Sequence, residues 1–284
     1  NERPLVIYHG NCTDGFTAAW VFHHYYGKDE CDFVPGAYGG TPPDVTGRKV
    51  FMVDFSYKRE VVAEMLTKAA EITLIDHHKT AIDDLQGLPG LNMYVDQERS
   101  GAGLAWDFLC GPTEKRPDML EHVQDRDLWK FKLPLTKMMS GYIQSTSCTF
   151  EEWDRMMTAD IIELARFASQ GSAVLRKTAK DVEELVRHSW ETKILGYQGI
   201  PVANVPGMFA SDVGHALCQG KLFSLTYSEG GEATYFSLRS DPEGLDVSDL
   251  AKIMGGGGHK HASGFKIARG DGAAWSKFYS LSDL

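Results

Sequence analysis

Three short apolar runs, each ending in residues able to hold a metal, constrain this chain more than any other feature. Leu5-Val-Ile-Tyr8 leads into His9, Asn11, Cys12 and Asp14-Gly15. Val50-Phe-Met-Val53 leads into Asp54, and Ile72-Thr-Leu-Ile75 leads into Asp76-His77-His78. Helical stretches, Thr17 to Tyr26 and about Lys58 to Ala70, separate them. Asn92 to Val95 reads as a fourth strand, with a helix over Gly101 to Leu109. Short apolar strands alternating with helices predict an α/β sheet. In an open α/β sheet, ligands collect beyond the carboxyl ends of the strands. The three strand ends are therefore expected to meet. A single Asp or His after a strand is ordinarily a turn residue or a cap; the coincidence of three carries the signal. Carboxylates and imidazoles in one cleft suit Mn²⁺ or Mg²⁺, with Fe²⁺ or Zn²⁺ as alternatives. A further acidic contribution lies in Gln124-Asp125-Arg126-Asp127.

The remaining chain predicts a second domain. Apolar residues at helical spacing (Ile161, Leu164, Phe167, Leu175, Val182, Leu185) mark a long helix from about Ala159 to Ser189, with Gly171 as its weak point. Beyond it, Ile200 to Val205, Leu222 to Tyr227, Thr234 to Leu238 and Gly264 to Ala268 read as strands. Glu229-Gly-Gly-Glu turns the second of these into the third as a hairpin, and Val247 to Met254 reads as a short helix. The expected organisation is a parallel-sheet domain over 1–157, a helical linker over 158–192 and a smaller mixed-sheet α/β domain over 193–284.

Composition narrows the function. The 284 residues carry a net charge of −10, which disfavours a protein that coats long nucleic acid through Lys and Arg. Long duplex DNA is therefore not an expected partner. No apolar run reaches the roughly 18 residues of a membrane helix, and no signal peptide is evident, because His9-Gly-Asn11 interrupts the first apolar run. The five cysteines, Cys12, Cys31, Cys110, Cys148 and Cys218, are odd in number and form no CxxC pair. That predicts a reducing, cytoplasmic setting without a disulfide framework.

Several motifs together resemble the DHH phosphoesterase superfamily in its two-domain DHH–DHHA1 form, of the nanoRNase or oligonucleotide-phosphodiesterase type. They are Tyr8-His-Gly-Asn-Cys-Thr-Asp-Gly-Phe-Thr-Ala-Ala19, Met52-Val-Asp-Phe-Ser56, Asp76-His77-His78, Ser100-Gly-Ala-Gly-Leu-Ala-Trp106 and Asp125-Arg-Asp-Leu-Trp129. Phe236-Ser-Leu-Arg-Ser240 and Gly255-Gly-Gly-Gly-His-Lys-His-Ala-Ser-Gly-Phe265 follow. The resemblance covers nearly the whole chain in order. It implies a two-metal, usually Mn²⁺-dependent phosphodiesterase with its cleft between the domains, working by in-line attack of a hydroxide that bridges the ions. It implies His9, Asp14, Asp54, His77 and Asp125 as metal ligands, with Asp125 preferred to Asp127 and Asp54 bridging. His78 would approach the substrate phosphate, and Asp76 would orient its neighbours. Relatives often carry an aspartate where Cys12 stands here. Either the Cys12 thiolate ligates, or a water or Asn11 fills the place.

In the second domain the four glycines from Gly255 let backbone N–H groups approach an anion closely, and Arg239 can fork onto a phosphate. Arg239, Ser240, Gly256, Gly257, Gly258 and His259 are the expected substrate clamp. The chain is short for a RecJ-type nuclease with an oligonucleotide-binding module, and pyrophosphatases of the superfamily differ in the second domain. The expected substrate is therefore short: an oligonucleotide of a few residues, a dinucleotide or a related nucleotide phosphate. A phosphomonoesterase or polyphosphate-type hydrolase, and a catalytically weak nucleotide-binding sensor, are the alternatives. A homodimer is compatible with all of these.

Overall fold

The computed structural model of the chain describes residues 3–10 and 12–280; Asn11, one of the two alternatives to Cys12, lies outside the described residues. The chain divides into two compact units, Asn1–Arg176 and Lys177–Leu284.

The first unit is built on a five-stranded, wholly parallel sheet. Its strands are β1 (Leu5–His9), β2 (Asp32–Gly36), β3 (Lys49–Val53), β4 (Glu71–Asp76) and β5 (Leu91–Val95), in the order β2-β1-β3-β4-β5. Both faces are buried, which is why the central strands read as unbroken apolar runs. Leu5, Ile7, Val50, Met52 and Leu74 enter one core with Val62 and Met65 of α2 (Arg59–Leu66). Val6, Phe51, Val53 and Ile75 enter the other with α1 (Thr13–Tyr26) and α4 (Gly101–Cys110). The short α3 (Lys79–Leu85) links β4 to β5. Helices α5 (Asp118–Asp127), α6 (Thr136–Gln144), α7 (Phe150–Met157) and α8 (Ile161–Arg187) complete this part of the chain.

The expected long helix is α8, and the division between units falls within it. Gly171 is a packing site rather than a weak point. A Cβ there would lie 1.8 Å from the Met138 carbonyl oxygen, so only glycine lets the backbones of α6 and α8 come this close.

The second unit holds a mixed six-stranded sheet. Its strands are β6 (Trp190–Ile194), β7 (Tyr197–Asn204), β8 (Ser224–Glu229), β9 (Ala233–Arg239), β10 (Gly257–His259) and β11 (Ala262–Ala268), in the order β10-β11-β9-β8-β7-β6. Among the described residues of this sheet, only β7 and β8 pair in parallel; α9 (Ala210–Cys218) makes the crossover. The expected β8–β9 hairpin is present. Phe223, Leu225, Phe236, Leu238, Phe265 and Ile267 fill the core with Val247 and Leu250 of α10 (Val247–Ile253) and Phe278 of α11 (Gly272–Ser280). The architecture is the α/β one expected: a parallel-sheet domain followed, through a long helix, by a smaller mixed-sheet domain.

Candidate metal centre

Strand register assembles the centre. β1 pairs with β3 up to Tyr8↔Val53, and β3 with β4 up to Val53↔Ile75. His9, Asp54 and Asp76 each follow immediately, so they stand side by side at the carboxyl edge of the sheet. Asp54 turns the chain out of β3 with φ +54°, a left-handed conformation that Asp tolerates better than most residues. Gly101, at the start of α4, makes room for it: a Cβ there would lie 2.4 Å from Asp54 Cβ.

Asp54 is 1% exposed and its two oxygens face different partners. Oδ1 lies 3.1 Å from His77 Nε2, and Oδ2 lies 3.4 Å from His9 Nδ1. His77 Nε2 also lies 3.5 Å from Asp127 Oδ2 and 4.0 Å from Asp14 Oδ2. Asp14, in the first turn of α1, accepts the Ala102 amide N–H at 3.3 Å. Asp76 Oδ1 accepts the backbone N–H groups of His77 and His78 at 2.7 and 3.2 Å, and pairs with His78 Nδ1 at 2.7 Å. That fixes the turn and the His78 ring together.

The site's charges are strongly coupled. Burial would raise the Asp54 carboxyl, but the hydrogen bond from His77, the His9 imidazole close by and the charge of His78 hold it well below the usual carboxylate range. Burial, then the charges of Asp127 and Asp54, push Asp14 well above it. Burial would lower His77, yet Asp127, Asp54 and Asp14 outweigh that and raise it to about 10. The cluster is thus built to hold positive charge at its centre.

A divalent cation fits that demand. Two triads offer ligand atoms mutually within 4.8 Å: His9, Cys12 and Asp54; and Asp14, His77 and Asp127. His9 Nδ1, Asp54 Oδ2 and Asp127 Oδ2 are buried without a hydrogen-bond partner among the described residues, the condition that a ligated ion relieves.

The geometry corrects the expected choice of Asp125. Its carboxylate accepts the N–H groups of Lys132 and Leu133 at 2.9 and 3.0 Å and the Thr136 hydroxyl at 2.5 Å, pinning the loop after α5. Asp127 stands in the cluster instead. Residues two apart in a helix point about 200° apart, so only one can face the site, and the sequence alone does not say which. Ser100 opens the Ser100-Gly-Ala-Gly-Leu-Ala-Trp106 motif. Its hydroxyl caps α4, accepting the Gly103 N–H at 3.2 Å.

In the second unit, register sets Arg239 and His259 level with Ala262 across β9, β11 and β10. Ser240 is buried, its hydroxyl donating to the Leu245 carbonyl at 2.7 Å and lying 2.9 Å from His261 Nδ1. The glycine run is not an open loop throughout. Gly257 and Gly258 belong to β10, and a Cβ on Gly256 would lie 2.0 Å from the Gly264 carbonyl oxygen.

Among solved structures the chain is similar to a DHH-domain member of the s1p family of ribosomal proteins (15% identity, TM-score 0.59, 99% of this chain and 87% of that one). It is also similar to exonuclease RecJ bound to manganese (15%, TM-score 0.51, 99% and 90%). A third is PggH of Vibrio cholerae, a pGpG-specific phosphodiesterase (18%, TM-score 0.50, 97% and 97%). These likenesses define the architecture as a two-domain DHH-type fold. In sequence, the chain is 29% identical over 294 residues to an uncharacterized protein of Acanthamoeba polyphaga mimivirus, covering 94% of this chain and 68% of that one. No family model matches the chain. Among the described residues, no helix is long and apolar enough to cross a membrane.

Proposed function

We propose that this protein is a metal-dependent phosphodiesterase acting on short oligonucleotides, dinucleotides or related nucleotide phosphates. One observation carries the reading: two ligand triads adjoin at the carboxyl ends of adjacent parallel strands, where buried Asp54 belongs to one and its other oxygen lies 3.1 Å from His77 of the second. Two divalent cations held there would neutralise phosphate oxygens and lower the pKa of the attacking water. Mn²⁺ is the first choice for a carboxylate–imidazole set, with Mg²⁺ as alternative.

The chain's own residues divide the remaining tasks. Asp54 serves both triads, one oxygen toward each, and so sets their spacing. Asp76 holds the His78 ring through Nδ1, so His78 would meet a phosphate oxygen through Nε2. Arg239, Gly256, Gly257, Gly258 and His259 are assigned to the grip on the substrate's anionic end, with Ser240 supporting through its buried hydrogen bonds. The fold likeness to a pGpG-specific phosphodiesterase and a manganese-bound exonuclease supports nucleotide chemistry.

The test is turnover of a 5′-phosphorylated dinucleotide by chelator-stripped protein with Mn²⁺ added back. Mononucleotides are expected, and Asp54→Ala is expected to release almost none. Equal turnover by Asp54→Ala with metal still bound would refute the reading. Nucleotide binding without turnover in any divalent metal would move the protein to the sensor alternative.

A further inference from the structure

The two triads are chemically unequal. His9, Cys12 and Asp54 offer nitrogen, sulfur and oxygen; Asp14, His77 and Asp127 offer nitrogen and two oxygens. Thiolate ligands select borderline and soft cations, whereas carboxylate-rich sets suit Mg²⁺ and Mn²⁺.

Two independent features direct the sulfur toward an ion. Cys12 occupies the N-cap position of α1, where Ser, Thr, Asp or Asn would accept a backbone N–H, yet its side chain makes no capping bond. The local fold therefore does not account for the thiol. Two neighbouring side-chain atoms also lack hydrogen-bond partners among the described residues. Asp54 is 1% exposed, and neither its Oδ2 nor His9 Nδ1, 3.4 Å away, has a hydrogen-bond partner among the described residues. A cation between these atoms and the sulfur satisfies all three.

Resting on the metal-dependent reading above, we propose that His9, Cys12 and Asp54 form a thiolate site for a borderline-soft divalent cation, Zn²⁺ or Fe²⁺. The oxygen-rich triad takes Mn²⁺ or Mg²⁺, so the centre is heterobinuclear. On ligation the Cys12 thiol releases its proton to solvent and a metal–sulfur bond forms, with no change of oxidation state.

Co²⁺ is the probe, because ligation by a thiolate gives a sulfur-to-cobalt charge-transfer band in the near ultraviolet. Chelator-stripped full-length protein is titrated with Co²⁺ anaerobically, and bound cobalt is counted by elemental analysis. The expected result is the band in the wild type, its loss in Cys12→Ser, and retention of cobalt by that variant at the second triad. Cys12→Asp should bind without the band. Its preference for Zn²⁺ over Mn²⁺ should fall by at least the roughly tenfold that losing even an outer-shell partner costs. Bound cobalt without the band in the wild type overturns the inference and leaves the metal-dependent reading standing. So does a band that survives in Cys12→Ser. No bound cobalt at all overturns both. The wild-type spectrum decides the question even if a variant does not fold.

Discussion

Asp125 and Asp127 stand two residues apart in one helix and do different work, and their variants should separate cleanly. Asp127→Asn removes a carboxylate from the Asp14–His77–Asp127 triad. It should weaken divalent-metal binding by at least the roughly 10-fold that an outer-shell partner is worth and leave the thermal stability of the metal-free protein nearly unchanged. Asp125→Asn breaks the clasp on Lys132, Leu133 and Thr136. It should cost about 1–3 kcal/mol of stability and keep metal stoichiometry. Calorimetry with and without metal checks both, and a reversed pattern would restore Asp125 as the ligand. The clasp also has a pH signature. Burial raises the Asp125 carboxyl, but the Thr136 hydroxyl and the two amides more than offset that and lower it. A depressed folded value means that the ionised form is favoured by folding. The stability it supplies is present at neutral pH and is lost as pH falls below the unfolded value of about 3.9 through the lower folded one. Asp125→Asn should therefore lose less stability on acidification than the wild type does.

At the level of elements, what could be read from sequence follows what each element buries. β1, β3 and β4 are apolar on both faces and were readable to within a residue or two, together with the polar strand ends that build the site. The strands that the apolar pattern does not mark lie at sheet edges. β2 carries Pro35, which edge strands tolerate. β6 is largely exposed, and β10 is three residues of a glycine-rich run. α1 begins at Thr13, earlier than expected at Thr17, because Cys12 is a poor cap signal and Gly15 dilutes the first turn. Gly171 shows the same limit from the other side. A helix-weakening residue by propensity is here demanded by a neighbour distant in sequence. Gly171→Ala raises helix propensity, which in isolation would stabilise. Its Cβ would meet the Met138 carbonyl, however, so overpacking should prevail at about 1–3 kcal/mol net loss. A lower unfolding temperature for Gly171→Ala is expected; a higher one would show that α6 and α8 do not pack this closely.

At the scale of the molecule, the net charge of −10 and the two-unit organisation act together. Buried carboxylates are concentrated in the first unit, where Asp14, Asp54 and Asp76 are at most 1% exposed. Concentrating like charge in a core destabilises it unless cations answer it. A divalent ion should therefore stabilise the first unit selectively. At a free concentration about 100 times its Kd, one bound ion contributes about 2.7 kcal/mol to whatever unfolds cooperatively with its site. Hydrogen exchange resolves which residues those are. On adding Mn²⁺ to stripped protein, core amides of β1, β3 and β4 should gain protection of that size, while those of β8 and β9 should not change. Equal gains in both units would mean that they unfold as one cooperative body. Gains confined to β8 and β9 would place the ion outside the Asp54 cluster, and the proposed function would lose its foundation.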